Sequence, residues 1–305
     1  MRVGIFLGEL TRGAGLDQVV AQVRQVADDG FAAAWAPQVF GLDALTTLAV
    51  VGREVSGIEL GTAVVPTYPR HPMVLAQQAL TVQAAIGNRL VLGVGLSHQV
   101  VIEGMYGYSF ERPARHMREY LAVLLPLLRE GKVSFTGETV KAEGALTLPG
   151  VMPPPVLLAA LGPRMLRLAG GLADGTITWM VGPVTLGSHI VPTIRAAAVD
   201  AGRPPPRVAV GLPVCVTDDI AAARELAMRI FSIYNTLPSY RAMLDREGAE
   251  GPQDVAVVGD EDAVNAVLDT VADSGGTDLV ANVFGSGEER QRTRALLRSR
   301  ATASA

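Results

Sequence analysis

Cysteine is almost missing from this chain: Cys215 is the only one in 305 residues. That excludes an intrachain disulfide and fits a reducing compartment. Cys215 stands between Val214 and Val216, which reads as a core strand position rather than a nucleophile. Lysine is nearly as scarce, with only Lys132 and Lys141. Charged residues make up just 18%, and the net charge of -4 argues against a nucleic-acid partner, which would need a basic face. The first 25 residues lack a basic start followed by an apolar run, so no signal peptide is expected. No apolar run approaches a membrane span. What is abundant is hydrophobic residues, at 49%, which favours a large core with little disorder. The expectation is a soluble, cytoplasmic protein.

Short runs rich in Val, Ile and Leu alternate with longer helical segments. The runs are Val3–Gly8, Phe31–Pro37, Ile58–Val65, Arg89–Gly95, Val156–Leu161, Thr176–Met180, Val208–Val216 and Leu279–Phe284. Helices are expected over Leu16–Asp29, from an Asp43 cap to about Val55, over Pro72–Ile86 and over Arg112–Glu130. Continuous apolar strands are what a parallel sheet buried on both faces requires. Eight strand–helix units in this length predict a single α/β domain, a (β/α)8 TIM barrel over residues 1–305. The rival, an open doubly wound sheet, would place Gly-x-Gly-x-x-Gly after its first strand. Gly8-Glu-Leu-Thr-Arg-Gly-Ala-Gly15 has the wrong spacing, and Gly93-Val-Gly95-Leu-Ser-His98 lacks the third glycine. Two segments break the rhythm. Val133–Gly150 reads as a hairpin inserted before strand five, its arms Val133–Lys141 and Ala145–Leu148, and Phe231–Val258 adds extra helix before strand eight.

In such barrels chemistry sits where the strands end. Glu9 and Thr11 follow strand one, Gln38 strand two, and Pro66, Thr67 and Tyr68 strand three. Ser97, His98 and Gln99 follow strand four, Gly162 and Pro163 strand five, and Val181 and Gly182 strand six. Thr217 and Asp218 follow strand seven, and Gly285 and Ser286 strand eight. With no lysine at a strand end, a Schiff-base aldolase and an aldo-keto reductase are disfavoured. His71, His98, His116 and His189 have no carboxylates at ligand spacing, so no metal site is expected. A large barrel with a mild, apolar mouth points to a cofactor that carries the reactivity. Gly61-Thr-Ala-Val-Val-Pro-Thr-Tyr-Pro-Arg-His-Pro72 runs a strand into a proline-stiffened elbow whose small and branched residues suit an aromatic ring. Ala159-Ala-Leu-Gly-Pro-Arg164 reads as a backbone anion cradle, with Arg164 as a fork for phosphate or simply a solvated arginine.

Together these pieces resemble the luciferase-like monooxygenase family, in particular its branch using coenzyme F420, a deazaflavin. The resemblance spans nearly the whole chain. It rests on Val3-Gly-Ile-Phe-Leu-Gly, Gly61-Thr-Ala-Val-Val-Pro-Thr with Arg70-His-Pro72, and Arg89-Leu-Val-Leu-Gly-Val-Gly-Leu. It continues in Arg112-Pro…Arg118-Glu, Gly162-Pro-Arg-Met-Leu-Arg-Leu-Ala…Ala173-Asp-Gly175, Val258-Gly-Asp and Asp278-Leu-Val. The resemblance implies a non-proline cis peptide at Ala63–Val64 behind the deazaflavin ring. It also implies ring and tail contacts from Gln38, Ala63, Val64, Leu96, Ser97, Ala160, Gly162 and Pro163. Two departures matter: Gln38-Val39 and His98 stand where F420 sugar-phosphate dehydrogenases carry an acid–histidine pair and a glutamate. Sugar-phosphate oxidation is therefore not carried over. What is implied is hydride transfer at deazaflavin C5 to or from a small organic substrate.

The alternatives are an FMN-dependent monooxygenase of the same fold and a flavin-binding protein without turnover. His98 is the candidate acid or base, its other reading being a polar rim residue that bonds a loop. His71 reads as part of a helix start, Trp35 as core, and Met105, Tyr106 and Tyr108 as a lid on the substrate side. Leu45, Leu48, Ala49, Val51 and Val55 give the second helix more apolar surface than one barrel contact needs, which predicts a homodimer.

Overall fold

The computed structural model describes residues 1–11, 13–148 and 150–303, except the side chains of Glu9, Thr11 and Ala303. Eight parallel strands form a closed ring: β1 Arg2–Phe6, β2 Ala33–Ala36, β3 Glu59–Thr62, β4 Leu90–Gly95, β5 Val156–Ala159, β6 Gly175–Trp179, β7 Arg207–Val216 and β8 Asp278–Val283. Each pairs with the next, and β8 returns to β1 with Val3 opposite Leu279. This is the expected TIM barrel.

Side-chain alternation along the strands builds two cores. Val3, Ile5, Leu60, Leu92, Leu158, Val210 and Leu279 point outward into the layer shared with the helices. Ala33, Trp35, Val91, Leu157, Ile177, Ala209 and Val280 point inward and fill the barrel. Trp35, fully buried, needs empty space on two neighbouring strands. A Cβ at Gly61 would stand 2.2 Å from its ring, and one at Gly4 2.8 Å from Nε1. Below it, where the strands begin, Arg207 donates to Glu59 at 2.6 and 3.2 Å and to Asp278 at 2.7 and 2.9 Å. Its guanidinium lies 5.6 Å from the Trp35 ring centre.

The surrounding helices are α1 Leu16–Asp28, α2 Ala44–Glu54, α3 Pro72–Ala85, α4 Gln99–Gly104, α5 Pro113–Glu130 and α6 Pro163–Gly171. They continue as α7 Val191–Asp200, α8 Ile220–Phe231, α9 Pro238–Glu247, α10 Glu261–Asp273 and α11 Gly287–Ala303. Asp43 caps α2 as expected, accepting from the Thr46 N–H at 2.9 Å. Leu45, Leu48, Val51 and Val55 are buried within this one chain. The apolar excess that suggested a dimer through α2 is therefore used up by the barrel. No helix among the described residues is long and apolar enough to cross a membrane.

Two expected boundaries are corrected. The insertion is an antiparallel hairpin, but its strands are Lys132–Thr136 and Lys141–Ala145, so the second arm starts at Lys141 rather than Ala145. Glu119 of α5 sets that turn, its Oε2 accepting from the Thr139 N–H at 2.6 Å, the Thr139 hydroxyl at 2.7 Å and the Val140 N–H at 3.2 Å. Strand three is not continuous from Ile58 to Val65. β3 ends at Thr62 and the chain re-pairs with β4 at Val65–Pro66. Gly61 lies opposite Val91 but Val65 opposite Val94, so one extra residue is accommodated as a bulge.

Candidate active site

The bulge sits at the C-terminal end of the barrel. The Thr62 hydroxyl holds it to β4, accepting from the Gly93 N–H and donating to the Gly93 carbonyl, both at 2.8 Å. A Cβ at Gly93 would fall 2.0 Å from the Thr62 carbonyl oxygen, and one at Gly95 2.7 Å from Val64 Cγ2. The glycines of Gly93-Val-Gly95 thus make room for neighbouring backbone and Val64, and the Ala63–Val64 peptide bond is cis.

The inward residues that end the strands form an apolar floor. Phe6, Ala63, Val64 and Ala159 pack on the barrel's inner core. The Trp179 ring stacks on Phe6 with centroids 5.8 Å apart and planes 21° from parallel. Gly211 leaves the space Trp179 needs, since a Cβ there would lie 2.9 Å from its ring. On one side an aromatic wall rises from the insertion after β7. Tyr234 meets Trp179 at 5.9 Å and Tyr240 at 4.8 Å, and Phe231 meets Trp179 at 5.8 Å.

The rim carries the polar groups. Ser97 adopts a left-handed backbone with φ 60°, unusual for a side chain other than glycine. His98 follows as the residue before α4, half-buried, without a capping bond from its ring. Its imidazole tilts against Tyr240 at 5.9 Å, and burial lowers its pKa from the ordinary 6.5. Gln38 is only partly available, because its Oε1 accepts from the Ala44 N–H at 2.8 Å at the start of α2. Leu96 is half-buried against the outer core. Gly162 precedes α6, Pro163 opens it and Arg164 is exposed in its first turn. Ala160 does not face the mouth: it is 2% exposed and packs outward, while Ala159 takes the inward place.

Other expected positions are used structurally. The His71 Nδ1 accepts from the Met73 N–H at 3.3 Å and its Nε2 lies 3.2 Å from the Lys141 carbonyl, which fits its helix-start reading. The Thr217 hydroxyl donates to Glu289 at 2.6 Å, the Ser286 N–H donates to the same carboxylate at 2.7 Å, and Asp218 pairs with Arg292. The Cys215 thiol is buried; burial, then the nearby Glu289 charge, pushes its pKa up to about 12. Met105, Tyr106 and Tyr108 are exposed beyond α4. The side chains of Glu9 and Thr11 lie outside the described residues. Among the described residues, no group of three or more His, Cys, Asp or Glu is placed to hold a metal ion.

Two sets of residues, and the surroundings of the expected Tyr68, escape the sequence reading. Asn282, two residues beyond inward-facing Val280 on β8, is half-exposed next to Gly8. Trp179 and the tyrosines of the insertion line the mouth. Tyr68 stacks on His116 at 4.0 Å and 8°, and on Phe110 at 5.3 Å, with its hydroxyl buried and without a partner among the described residues. Burial first, then the Glu103 charge, raises its pKa to about 12. His116, whose Nε2 lies 3.1 Å from the Thr67 hydroxyl, is held down at about 4 by burial, so its ring is neutral at neutral pH.

Comparison with known proteins agrees with this geometry. A family model described as luciferase-like monooxygenase matches residues 1–302. The 5,10-methylenetetrahydromethanopterin reductase of Methanolobus tindarius is 31% identical over 209 residues, which cover 68% of this chain and 64% of the reductase. The match thus spans somewhat less than two thirds of that relative's length. The coenzyme F420-dependent tetrahydromethanopterin reductase of Methanopyrus kandleri superposes with a TM-score of 0.83 at 21% identity, over 99% of both chains. An F420-dependent secondary alcohol dehydrogenase, solved with an F420–acetone adduct, gives 0.79 at 16% identity over 97% of both.

Proposed function

The chain belongs to the luciferase-like monooxygenase family, and on that premise we propose that it is an F420-dependent oxidoreductase acting on a small organic substrate. The observation that carries this reading is the apolar floor beside the β3 bulge. Val64, Ala159 and the stacked Phe6–Trp179 pair offer a flat, dry surface for an aromatic ring. Around it the side chains of Ser97, His98 and Asn282 and the Gln38 amide nitrogen have no hydrogen bond to protein among the described residues. A polar rim with free capacity above an apolar floor fits a ring with polar edges. The F420-dependent relatives support the choice of ring, and FMN is the alternative.

When bound, the deazaflavin would supply hydride transfer at its C5. The chain's own residues then have separate tasks. Val64 and Ala63 back the ring, Gly162 and Pro163 lead towards its charged end, and Arg164 provides a cation there. Trp179, Tyr234 and Tyr240 exclude water on the substrate side. His98, kept neutral by burial, holds or accepts the proton that accompanies a hydride at an alcohol or carbonyl carbon.

Titration of the protein with F420 and with FMN, each oxidised and reduced, tests the assignment. Micromolar or tighter binding of F420 and clearly weaker binding of FMN is expected. Equal affinities at equal salt would remove F420 as the cofactor.

A further inference from the structure

Five rings form an unbroken run from the candidate proton group to the barrel floor. His98 meets Tyr240 at 5.9 Å, Tyr240 meets Tyr234 at 4.8 Å, Tyr234 meets Trp179 at 5.9 Å, and Trp179 lies on Phe6 at 5.8 Å. Tyr234 is inclined by 65° to both Tyr240 and Trp179, the edge-to-face arrangement that aromatic pairs favour. His98, Trp179, Tyr234 and Tyr240 are each half-buried, so the run keeps an open side. The wall is also fastened in place. Glu247, the last residue of α9, accepts from the Val184 N–H at 3.0 Å and the Thr185 N–H at 2.7 Å, beyond β6. Arg241 ties Asn235 to the Ala249 carbonyl, at 2.6 and 2.7 Å.

The charges of this wall and of the neighbouring strand ends are engaged or turned to solvent. Barrels of this kind frequently hold a substrate phosphate after strands seven and eight. Here the chain's own Glu289, in the first turn of α11, takes the donors of those two loops. It accepts from the Thr217 hydroxyl at 2.6 Å and the Ser286 N–H at 2.7 Å. Arg292 is divided between Asp218 at 3.1 Å and Glu261 at 2.7 Å. On the wall's own helices, Arg241 and Glu247 are spent as described, and Arg224, Arg229 and Arg246 are exposed.

We infer that the substrate is an uncharged ketone or secondary alcohol with an aromatic ring on its reacting carbon, a class that rests on the F420 reading above. A carbonyl beside His98 leaves the rest of the molecule against Tyr240, Tyr234 and Trp179. A neutral aryl group meets those rings edge to face. An alkyl group of equal size gains burial alone, and a charged group loses its hydration without gaining a partner. A cation would need ring faces gathered about one point, whereas these rings follow one another along a line. In the reducing direction the carbonyl carbon gains a hydride, with its two electrons, from C5 of the reduced deazaflavin. The oxygen gains a proton through His98, balanced by the ring proton lost as the cofactor is oxidised. One alcohol and one oxidised cofactor result.

Calorimetry on the protein with oxidised F420 bound reads affinity without turnover. Acetophenone should bind about three- to thirtyfold more tightly than cyclohexyl methyl ketone, which has nearly the same size without the aromatic ring. Tyr234→Leu/Tyr240→Leu should bring the two ketones within about threefold of each other; if this variant does not fold, the wild-type series decides alone. The para-carboxylate and para-trimethylammonium derivatives of acetophenone should both bind at least about tenfold more weakly than acetophenone itself. Equal binding of the two neutral ketones overturns the aromatic group. Tighter binding of the carboxylate or of the ammonium overturns the lack of charge. With reduced F420, acetophenone should yield its secondary alcohol, and a ketone that binds but is not reduced is overturned as the substrate class. If F420 itself does not bind, the cofactor reading fails. The same ligands titrated into the protein alone, followed by tryptophan fluorescence, then still decide the preference of the wall.

Discussion

The proton-transfer role proposed for His98 rests on how the residue is placed. Its backbone starts α4, yet its ring makes no cap, and partial burial against Tyr240 lowers its pKa from 6.5. A neutral imidazole at the rim can accept a proton directly and, once charged, return it in the reverse direction. His98→Ala should lower kcat by about 10²–10⁴-fold while F420 affinity stays within a few-fold. The wild-type acid limb should fall below pH 6.5, following the lowered pKa, and should be missing in the variant. Full turnover in His98→Ala would shift the proton transfer to Tyr68, Glu9 or water. The sequence indicates His98 because it follows a strand. It does not indicate Asn282 or Phe6, which lie inside strands. In a barrel the last inward residue of each strand already belongs to the mouth, so looking only beyond the strands misses them. Tyr234 and Tyr240 are harder still to foresee, since only the folded insertion brings Tyr234 to Trp179 and Tyr240 to Tyr234.

At the scale of elements, the strands were legible because each is apolar on both faces, as a sheet between a filled barrel and a ring of helices demands. The hairpin turn was not, because its position is set by a distant carboxylate. Burial alone would raise the Glu119 pKa, but hydrogen bonds from the Thr139 hydroxyl and neighbouring N–H groups hold it at about 2, against an ordinary 4.5. A carboxyl with a depressed folded pKa stabilises fully above about 4.5, and that contribution fades as pH falls towards 2. The shift corresponds to about 3 kcal/mol at most. His116, one turn earlier on α5, acts over a higher window. Its buried neutral ring favours the fold above 6.5 and progressively less as pH falls to about 4. Glu119→Gln should cost about 1–3 kcal/mol at pH 7, because the buried N–H groups lose a charged acceptor. It should flatten the stability–pH curve between 4.5 and 2 but leave the slope between 6.5 and 4 intact. Chemical denaturation across pH reads both, and an unchanged lower slope would show that Glu119 does not hold the turn.

For the whole molecule, two questions concern what closes the barrel and what it pairs with. We propose a homodimer, no longer through the core face of α2 but through the apolar loop before it. Val39, Phe40 and Leu42 are exposed there, Phe40 to 60%. Sedimentation should give about twice the 32.0 kDa chain mass, and Phe40→Glu should return it to one; a wild-type monomer at micromolar concentration would end the proposal. Closure is argued from the bottom of the barrel. Arg207 begins β7, Asp278 begins β8 and Glu59 begins β3 on the far side, so one guanidinium ties strands that are not neighbours. The Asp278 side chain is only 4% exposed, Arg207 17% and Glu59 23%, so water screens the cluster weakly. Arg2 also reaches both carboxylates, at 3.3 and 3.4 Å, but is itself 45% exposed and cannot replace a fork inside the ring. Arg207→Met fills the space beneath Trp35 yet leaves two carboxylates facing each other. Breaking a buried pair from one side costs about 3–5 kcal/mol, and the partial exposure of Glu59 puts the expected loss near the lower figure. Arg24→Met, which removes an exposed pair with Glu54 at 3.5 Å, should cost under about 0.5 kcal/mol and serves as the control. Equal stability losses in the two variants would mean that the barrel closes on its apolar layers alone.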